Sequence, residues 1–569
     1  MAKLQKKTGF VLIMVTYLLG IFMGALDTGI VTPARTIIQN NLGVGQQTGI
    51  WMITIYTLAY AASIPIMGKL ADRYGRKNIY LMSIFLFGVG SLFCGLSQNM
   101  GSFTVLLIAR ALQAVGGGGI VPVATAEFGT SFPQEKRGMA LGLVGGVYGI
   151  ANIFGASAGS AILDIFGKNQ WQFIFYVNVP ITVFILIAGF FVLKNNKAAD
   201  TRKIDILGIL TLILMILSLL YGLTKLNFFD FVNSIKTTSV YPFLIIFVLL
   251  VPVFIFIEKR ASDPVMHLKY FTNKNIVLTL CLAFTSGILL MGIVFVPQFC
   301  ENALKIPSGS GGYLVIILGV FAGIGAPISG RLIDKFGEKI VIGFGFSVSV
   351  IGALFLFFVA TDYPNILTVI ISIVFMGLGI GFTMGTPLNY MMLSHTDIEE
   401  SNSALATLSL VRSIGTSIAP AIMVGFIASA GAMIQPNVMK LLPTEVNTPS
   451  GTIAVNFQMD SSYVIPQSTL DILKSSDVTT ITDNLKTFSG TMFETMTSKQ
   501  NDPAVKSVLS ETEKAYKDAI ETKRPKIEKT FQTTLNIGFK HIYLLTAITS
   551  FISIVILLFY RRKKVNKNK

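Results

Sequence analysis

The sequence predicts an all-α polytopic membrane protein of fourteen transmembrane helices. Composition is the first observation behind this prediction: 52% of the 569 residues are hydrophobic and only 13% are charged, about half the charged share of a typical soluble domain. Apolar runs of about 20 residues, each long enough to cross a ~30 Å hydrocarbon core as a helix, are the second, and fourteen of them recur along the chain.

A charged loop that occurs twice is the third observation. It reads Gly68-Lys-Leu-Ala-Asp-Arg-Tyr-Gly-Arg-Lys77 in the first copy and Gly330-Arg-Leu-Ile-Asp-Lys-Phe-Gly-Glu-Lys339 in the second, each between two apolar runs. A repeated loop of this kind indicates two homologous membrane halves, an organisation common in secondary transporters, whose substrate path lies between the repeats. The copies lie farther apart than a duplication of six helices requires, so two helices are predicted to be inserted between the halves.

Six regions follow from this pattern. The first three are an N-terminal six-helix half (1–195), two inserted transmembrane helices (200–262) and spans 9–13 of the C-terminal half (275–428). The other three are a partly helical extracytoplasmic insert (429–539), the last span (540–560) and a basic cytoplasmic tail (561–569).

Within the insert, residues 436–470 are predicted to be irregular, and 469–497 and 503–533 to be helical. The apolar stripes Val478–Met492 and Val505–Ile520 indicate either two helices packed on each other or a surface that handles substrate.

Lysine and arginine alternate between the two sides of the predicted membrane. The loops assigned to the cytoplasm hold 26 of them and the short outer loops hold five, which predicts that both termini are cytoplasmic and that residues 429–539 are extracellular. The net charge of +16 is therefore read as a topology signal and not as a nucleic-acid signal. The basic tail is expected to contact anionic lipid headgroups.

The sequence contains no Walker loop and no metal-like spacing of its three cysteines, so neither ATP hydrolysis, nor a metal, nor a disulfide framework is expected. The protein is predicted not to be an enzyme and to need no cofactor.

Four ionisable residues lie inside apolar runs, where each costs on the order of 3 kcal/mol or more and is a candidate functional group: Asp27, Arg110, Glu127 and Arg412. Asp27 and Arg110 fall at a similar depth when residues are counted at 1.5 Å each. Such a pair can exchange a proton, because the carboxylate is stabilised by Arg110 and takes up a proton when the pair breaks. The alternative is a fixed ion pair that only holds helices together. Glu127, nearer to water, is the second proton-coupling candidate, and Arg412 is left open between transport and structure.

The repeated loop is interpreted as a latch on one transport conformation. Its two glycines allow a close backbone approach and a tight turn, its aspartate can accept hydrogen bonds from the N-terminus of a facing helix, and its arginines can pair with carboxylates or lipid phosphates. A loop that only carried positive charge would need neither the glycines, nor the aspartate, nor a second copy. The predicted latch residues are Gly68, Asp72, Arg73, Gly75, Arg76 and Asp334.

Together these motifs resemble the major facilitator superfamily, and within it the fourteen-span drug:proton antiporters (DHA2-type) of bacterial multidrug efflux. The stretches that carry the resemblance are the repeated loop, Leu26–Val31, Arg110-x-x-Gln113 with Gly116–Gly119, Phe132–Gly142, Trp171–Pro180, Ile204-Asp205 with Gly208, and Asp263-Pro264. The resemblance implies the major facilitator fold of two six-helix halves plus two inserted helices, in the bacterial plasma membrane. It also implies alternating access, export driven by the proton gradient, and proton coupling through Asp27 and Arg110.

The predicted fifth span departs from the family's pattern. Four glycines keep a small-residue spacing that favours close helix packing: Gly145, Gly149, Gly155 and Gly159. Ala156 and Ser160 stand where the family has the second members of a Gly-Pro and a Gly-Gly pair. The missing proline weakens the implication of tight antiport, and with the long insert it leaves room for a larger or lipidic substrate.

The leading hypothesis is a proton-coupled exporter of amphipathic, cationic or hydrophobic compounds, monomeric and in contact with membrane lipids. An exporter of lipid or glycolipid to the cell envelope, with the insert as a handling domain, is the alternative. A membrane scaffold or sensor without transport is disfavoured, because it has no use for buried charges.

Overall fold

A computed structural model describes residues 2–31, 34–44, 46–133, 136–194, 205–306, 311–449, 451–455 and 477–561. In these ranges thirteen helices are long and apolar enough to cross a membrane, and a helix bent by 45° between Asn152 and Ser157 makes a fourteenth. The prediction of fourteen transmembrane helices is confirmed. In chain order, spans 1 to 14 are Ala2–Ile30, Trp51–Tyr74, Arg76–Asn99, Phe103–Ser131, Arg137–Phe166, Phe173–Val192, Ile206–Lys225, Tyr241–Arg260, Lys274–Leu304, Gly312–Phe336, Glu338–Ala360, Ile366–Ser394, Ser401–Met439 and Arg524–Phe559.

Short polar side chains begin several of the spans by accepting a hydrogen bond from a backbone N–H of the first turn, which has no partner inside the helix. These residues are Ser102, Asp205, Asn273 and Asn365. Short helices also lie between spans, at Arg35–Asn41, Gln46–Gly49, Lys168–Gln170, Phe228–Asp230, Phe231–Ile235, Lys269–Thr272 and Ile398–Glu400.

Spans 1–6 pack together as the first half of the molecule and spans 9–14 as the second half. Several pairs of spans join the halves; span 5 with span 10 and span 2 with span 13 form the most extensive contacts, and span 13 also contacts span 4. The inserted spans 7 and 8 pack on each other, and span 7 also contacts spans 2 and 13. We call the end of the bundle where the two charged loops lie the loop side.

Small residues bring span 5 close to spans 10 and 12. A Cβ placed on Gly145 would lie 2.2 Å from the Cα of Gly385 in span 12, whereas one on Gly149 would lie 4.0 Å from Ala322 in span 10. Gly155 faces its own half instead, since a Cβ there would lie 2.5 Å from the carbonyl oxygen of Leu26 in span 1. Gly159 is buried. The four glycines therefore divide between the contact across the halves and the packing within the first half.

The insert differs in its boundaries from the prediction. Spans 13 and 14 run past the predicted limits of 428 and 540, and an antiparallel hairpin of Glu445–Thr448 and Gly451–Ala454 follows span 13. The prediction that 436–470 is irregular is wrong for this hairpin, whose strands are too short and polar to show a periodic apolar pattern.

Two further helices of the insert, Ile481–Ser498 and Pro503–Thr522, agree with the predicted helices over part of their length. The predicted single helix over 503–533 is wrong beyond Thr522, because Pro525 starts a new helix. The predicted helical residues 469–476 and the tail 562–569 lie outside the described residues.

The two apolar stripes of the insert are buried to different extents. Val478, Ile481, Leu485 and Phe488 are buried, so the first stripe is a packing face. In the second stripe Ile520 is buried, but the two valines at its start are exposed. Polar contacts join the insert's helices to the start of span 14. There the guanidinium of Arg524 donates to the carboxylates of Glu521 and Asp483 and, together with Lys486, holds the pKa of Glu521 at about 2.

Candidate functional site

Asp27 and Arg110 meet in the interior of the first half. Nη1 of Arg110 lies 2.9 Å from Oδ2 of Asp27, and the two residues are 3% and 0% exposed respectively. Counting residues from the ends of spans 1 and 4 predicted a common depth for the two side chains, and the structure places them in direct contact.

Two amides complete the environment of the Asp27 carboxylate. Nε2 of Gln113 and Nδ2 of Asn178 donate to Oδ1 of Asp27 at 2.9 and 3.0 Å, and Gln113 also donates to Oγ of Ser91 at 2.7 Å. Three donors from spans 4 and 6 thus hold a carboxylate from span 1. Asn178 received no role from the sequence; the signal that marks it is an amide side chain at the start of an otherwise apolar helix.

Arg110 is held on its other sides by aromatic rings and by oxygen acceptors. Its guanidinium carbon lies 4.0 Å from the ring centre of Tyr56 and 5.7 Å from that of Phe175, close enough for a cation–π attraction. Nη1 also donates to Oε1 of Gln113 at 2.6 Å, and Nε donates to the carbonyl of Met52 at 3.4 Å. Arg110 therefore has favourable contacts besides the one with the Asp27 carboxylate.

Glu127 lies at the loop side and not beside Asp27. Its Oε2 accepts a hydrogen bond from Nη1 of Arg76 at 3.0 Å, and the Arg76 guanidinium also donates to Thr130 and to Ser401. Ser401 belongs to the second half, so Arg76 connects Glu127 to the opposite half. This geometry makes Glu127 a partner of the charged loop, and its predicted role in proton coupling stays a prediction.

The first copy of the loop binds the N-terminus of span 13. Asp72 accepts hydrogen bonds from the backbone N–H groups of Asn402 and Ser403 at 3.1 and 2.8 Å, and from both of their side chains. Gly68 is required for the approach, since a Cβ there would lie 2.5 Å from Cβ of Ala406. Gly75 has φ +92° between spans 2 and 3, a conformation that favours glycine.

The second copy repeats this arrangement with the halves exchanged. Asp334 accepts hydrogen bonds from the backbone N–H groups of Gly138 and Met139, at 3.0 and 3.2 Å, at the N-terminus of span 5. A Cβ on Gly330 would lie 2.3 Å from the carbonyl oxygen of Gly138. Each aspartate is thus an anion at the positive end of a helix that belongs to the opposite half, which is a stabilising arrangement.

Basic residues of the two loops bind acceptors nearby. Nζ of Lys77 donates to the carbonyl of Phe190 at 2.6 Å, and Nζ of Lys339 donates to that of Tyr560 at 2.7 Å, so each lysine binds the end of its half's last span. Lys69 and Arg73 of the first copy both bind the carboxylate of Asp263, which follows the inserted spans.

Arg412 lies between the two halves, apart from the Asp27–Arg110 pair. Its Nε and Nη2 atoms are buried and have no hydrogen-bond partner in the part of the chain that the structure describes. The ionisable side chains near it are the phenols of Tyr60 and Tyr148, both from the first half. No group of three or more histidine, cysteine, aspartate or glutamate side chains that could hold a metal ion occurs among the residues that the structure describes.

Comparison with known proteins adds the family. The family model of the Major Facilitator Superfamily matches residues 17–420. The chain is 37% identical to the uncharacterized MFS-type transporter YfiU of Bacillus subtilis, over 73% of this chain and 79% of that one. It is 31% identical to multidrug resistance protein 3 of the same organism, over 73% of this chain and 78% of that one.

Two solved structures share the fold at low sequence identity. The structure of the human organic anion transporter MFSD10 matches with a TM-score of 0.54 and 13% identity, over 74% of this chain and 94% of that one. The structure of the proton:xylose symporter XylE matches with a TM-score of 0.54 and 12% identity, over 76% of this chain and 91% of that one.

Proposed function

Because the chain belongs to the major facilitator superfamily of transporters, we propose that it is a proton-coupled exporter of amphipathic or hydrophobic compounds, of the multidrug-efflux type. Relatives named as multidrug resistance proteins support the substrate class. In this proposal the loop side faces the cytoplasm of a bacterial cell, the insert lies outside the cell, and a monomer carries out transport.

The buried Asp27 carboxylate is the observation that carries the proposal. A carboxylate inside a membrane helix is costly unless it is paired, and such groups mark proton relays. Asp27 links span 1 to spans 4 and 6 through Arg110, Gln113 and Asn178. Protonation removes its charge and weakens all three contacts at once, so the packing of these spans depends on whether the proton is bound.

The contacts between the halves support transport by alternating access. The aspartates of both loops bind helix N-termini across the interface at the loop side, so the described conformation is closed there. To open this side, the halves must break both sets of hydrogen bonds. A proton on Asp27 and a substrate between the halves would act on this equilibrium by favouring different conformations of the same two halves.

The test is the variant Asp27→Asn in proteoliposomes with an imposed pH gradient. The amide keeps the size of the side chain but cannot titrate, so we expect dye accumulation against a gradient to be abolished, while exchange of dye across the membrane without a gradient persists. Asp164→Asn, an exposed acid near the end of span 5, is the matched control and should transport normally. Normal gradient-driven accumulation by Asp27→Asn would show that the ion pair is only structural.

Export of a lipid or glycolipid is the second candidate, and the exposed Val505 and Val508 of the insert, each 38% exposed, favour it. The buried first stripe does not, since it has no free surface to shield an acyl chain. Removing the insert separates the two candidates, as set out below.

A further inference from the structure

Arg412 carries a guanidinium for which the described part of the chain supplies no anion. Its Nε and Nη2 atoms are buried and donate to no acceptor among the described residues. Arg110 is the internal comparison, because its guanidinium has Asp27, Gln113 and the Tyr56 ring around it. Arg110 is thus paired with an anion inside the protein, and Arg412 is not paired with one among the described residues.

The position of Arg412 places this guanidinium on the predicted substrate path. It lies about eleven residues, or roughly 16 Å, from the start of span 13 at Ser401, near the middle of a ~30 Å hydrocarbon core. The backbone of span 13 at this level packs on span 9, where a Cβ on Gly287 would lie 2.3 Å from the carbonyl oxygen of Arg412. Its phenolic neighbours Tyr60 and Tyr148 belong to spans 2 and 5 of the opposite half.

A structural role does not account for this arrangement. An arginine that holds helices together does so through hydrogen bonds and an opposite charge, and a buried charge without either is a net cost to the fold. A guanidinium kept in this state is instead ready to form charge-assisted, bidentate hydrogen bonds with an oxyanion that enters between the halves. The hydroxyl groups of the two tyrosines add neutral donors, and their rings add flat apolar surface.

We propose that Arg412, with Tyr60 and Tyr148, binds a carboxylate of the transported compound, so that the preferred substrates are aromatic amphiphiles with an anionic or zwitterionic head. This inference rests on the proposed export function and narrows its substrate class. A stacked contact connects the site to the proton site: the rings of Tyr60 and Tyr56 lie 6.1 Å apart at 14°, and the Tyr56 ring covers Arg110. Substrate bound at Arg412 therefore lies one aromatic pair away from the group that pairs with Asp27.

The experiment uses two probes that differ in one group, a rhodamine with a free benzoate carboxyl and the methyl ester of the same dye. Binding to the purified full-length protein in nanodiscs of zwitterionic lipid is measured by fluorescence anisotropy. We expect the free acid to bind about tenfold more tightly than the ester, as a lost charge-assisted pair predicts. Arg412→Gln should weaken the free acid about tenfold and leave the ester within about twofold.

Two controls show whether an altered preference comes from the site. Arg260→Gln removes an exposed arginine at the end of span 8 and should keep the preference of the wild type. Because Arg412 has no partner to lose, Arg412→Gln should unfold at the same or a higher temperature than the wild type, whereas removal of a structural arginine would lower this temperature.

Each outcome decides the proposal. Equal binding of acid and ester, no measurable binding of the acid, or a preference that survives Arg412→Gln would each overturn it. A preference that vanishes when phosphatidylglycerol is added to the nanodiscs would assign the site to a lipid phosphate and overturn the assignment to substrate. Proton flux driven by the dye is measured separately. If the ester is transported with proton flux and the protein does not prefer the free acid, the Arg412 site is refuted and the proposed export function is not. If the protein prefers the free acid but no proton flux occurs, proton coupling is refuted and the Arg412 site is not.

Discussion

The two copies of the charged loop differ in a way that separates a shared function from local adaptation. Five of their ten positions are identical: Gly68 and Gly330, Leu70 and Leu332, Asp72 and Asp334, Gly75 and Gly337, Lys77 and Lys339. Four of these pairs have matching structural roles. The first glycine admits the opposite half, the aspartate binds its helix N-terminus, the second glycine takes a positive φ, and the lysine binds the end of the last span.

The positions that changed contact surroundings that the two halves do not share. Arg76 binds Glu127, whereas Glu338 at the same position accepts a hydrogen bond from the hydroxyl of Tyr560 at 3.2 Å. Lys69 is buried and binds Asp263, which follows the inserted spans in sequence, whereas its equivalent Arg331 is exposed. The first glycine and the aspartate, which contact the opposite half, are thus among the identical positions, and Lys69 differs from its equivalent because it binds a residue that follows the inserted spans.

The largest effect on stability is expected at a position where the two copies of the charged loop have different surroundings. Lys69→Met removes a cation from the buried carboxylate of Asp263 and should lower the free energy of unfolding by about 2 kcal/mol, the value of a hydrogen bond to a charged group. The equivalent change Arg331→Met, on an exposed side chain, should stay within about 0.5 kcal/mol. Thermal unfolding of the purified variants measures both, and equal losses would show that the two environments do not differ.

A smaller effect is expected where the copies agree. Asp72→Ala removes an anion from the N-terminus of span 13 and should shift the equilibrium between the two access states by about 1–2 kcal/mol, or up to about an order of magnitude in population. Asp334→Ala should shift it in the same direction, because Asp334 likewise binds the N-terminus of a helix of the opposite half.

Accessibility of single cysteines placed at either end of the bundle measures both shifts. Because loss of either aspartate removes a bond that closes the loop side, labelling should rise at the loop side and fall at the other end. Unchanged labelling in Asp72→Ala would show that the loop is no latch, and a shift in the opposite direction in Asp334→Ala would show that the two copies do not act alike.

The smallest effect on transport is expected from the region that only the second half contains. Replacing residues 440–522 by a short Gly/Ser linker should leave dye efflux nearly normal, because the first apolar stripe of the insert is used for its own packing. Span 13 and span 14 are packed neighbours, so a linker closes the gap at modest entropic cost. Loss of all efflux from a variant that is monodisperse and inserted would favour lipid export.

Counting residues along the sequence predicted the depth of side chains in the membrane well, but it did not predict which helices are neighbours. Depth follows from the fixed rise of a helix, so Asp27 and Arg110 could be placed at one level, and the repeated aspartate could be expected to meet a helix N-terminus. Which helix faces which is a tertiary property. The partner of Glu127 was therefore missed, although Arg76 stands in the loop already singled out, and the contact of Asn178 with Asp27 was missed as well.

Local structure that shows no periodic pattern of apolar residues could not be predicted from the sequence either. The hairpin Glu445–Ala454 has strands of four residues each, too few for an alternating pattern to stand out. The unpaired state of Arg412 depends on an absence of partners across two halves, and only coordinates of both halves reveal it.

Span 14 is a single helix of 36 residues, and its length has a mechanical consequence. At 1.5 Å per residue it is roughly 54 Å long, so more than 20 Å of it extends beyond a ~30 Å hydrocarbon core. After Pro525 in its first turn the helix contains no proline, so its outer end moves rigidly with the buried part. A tilt of ten degrees in the second half displaces that end by roughly 4 Å over a lever of this length. A fluorophore on the insert would therefore report a movement of the second half from outside the membrane, far from Asp27 and Arg412, the proposed proton and substrate sites.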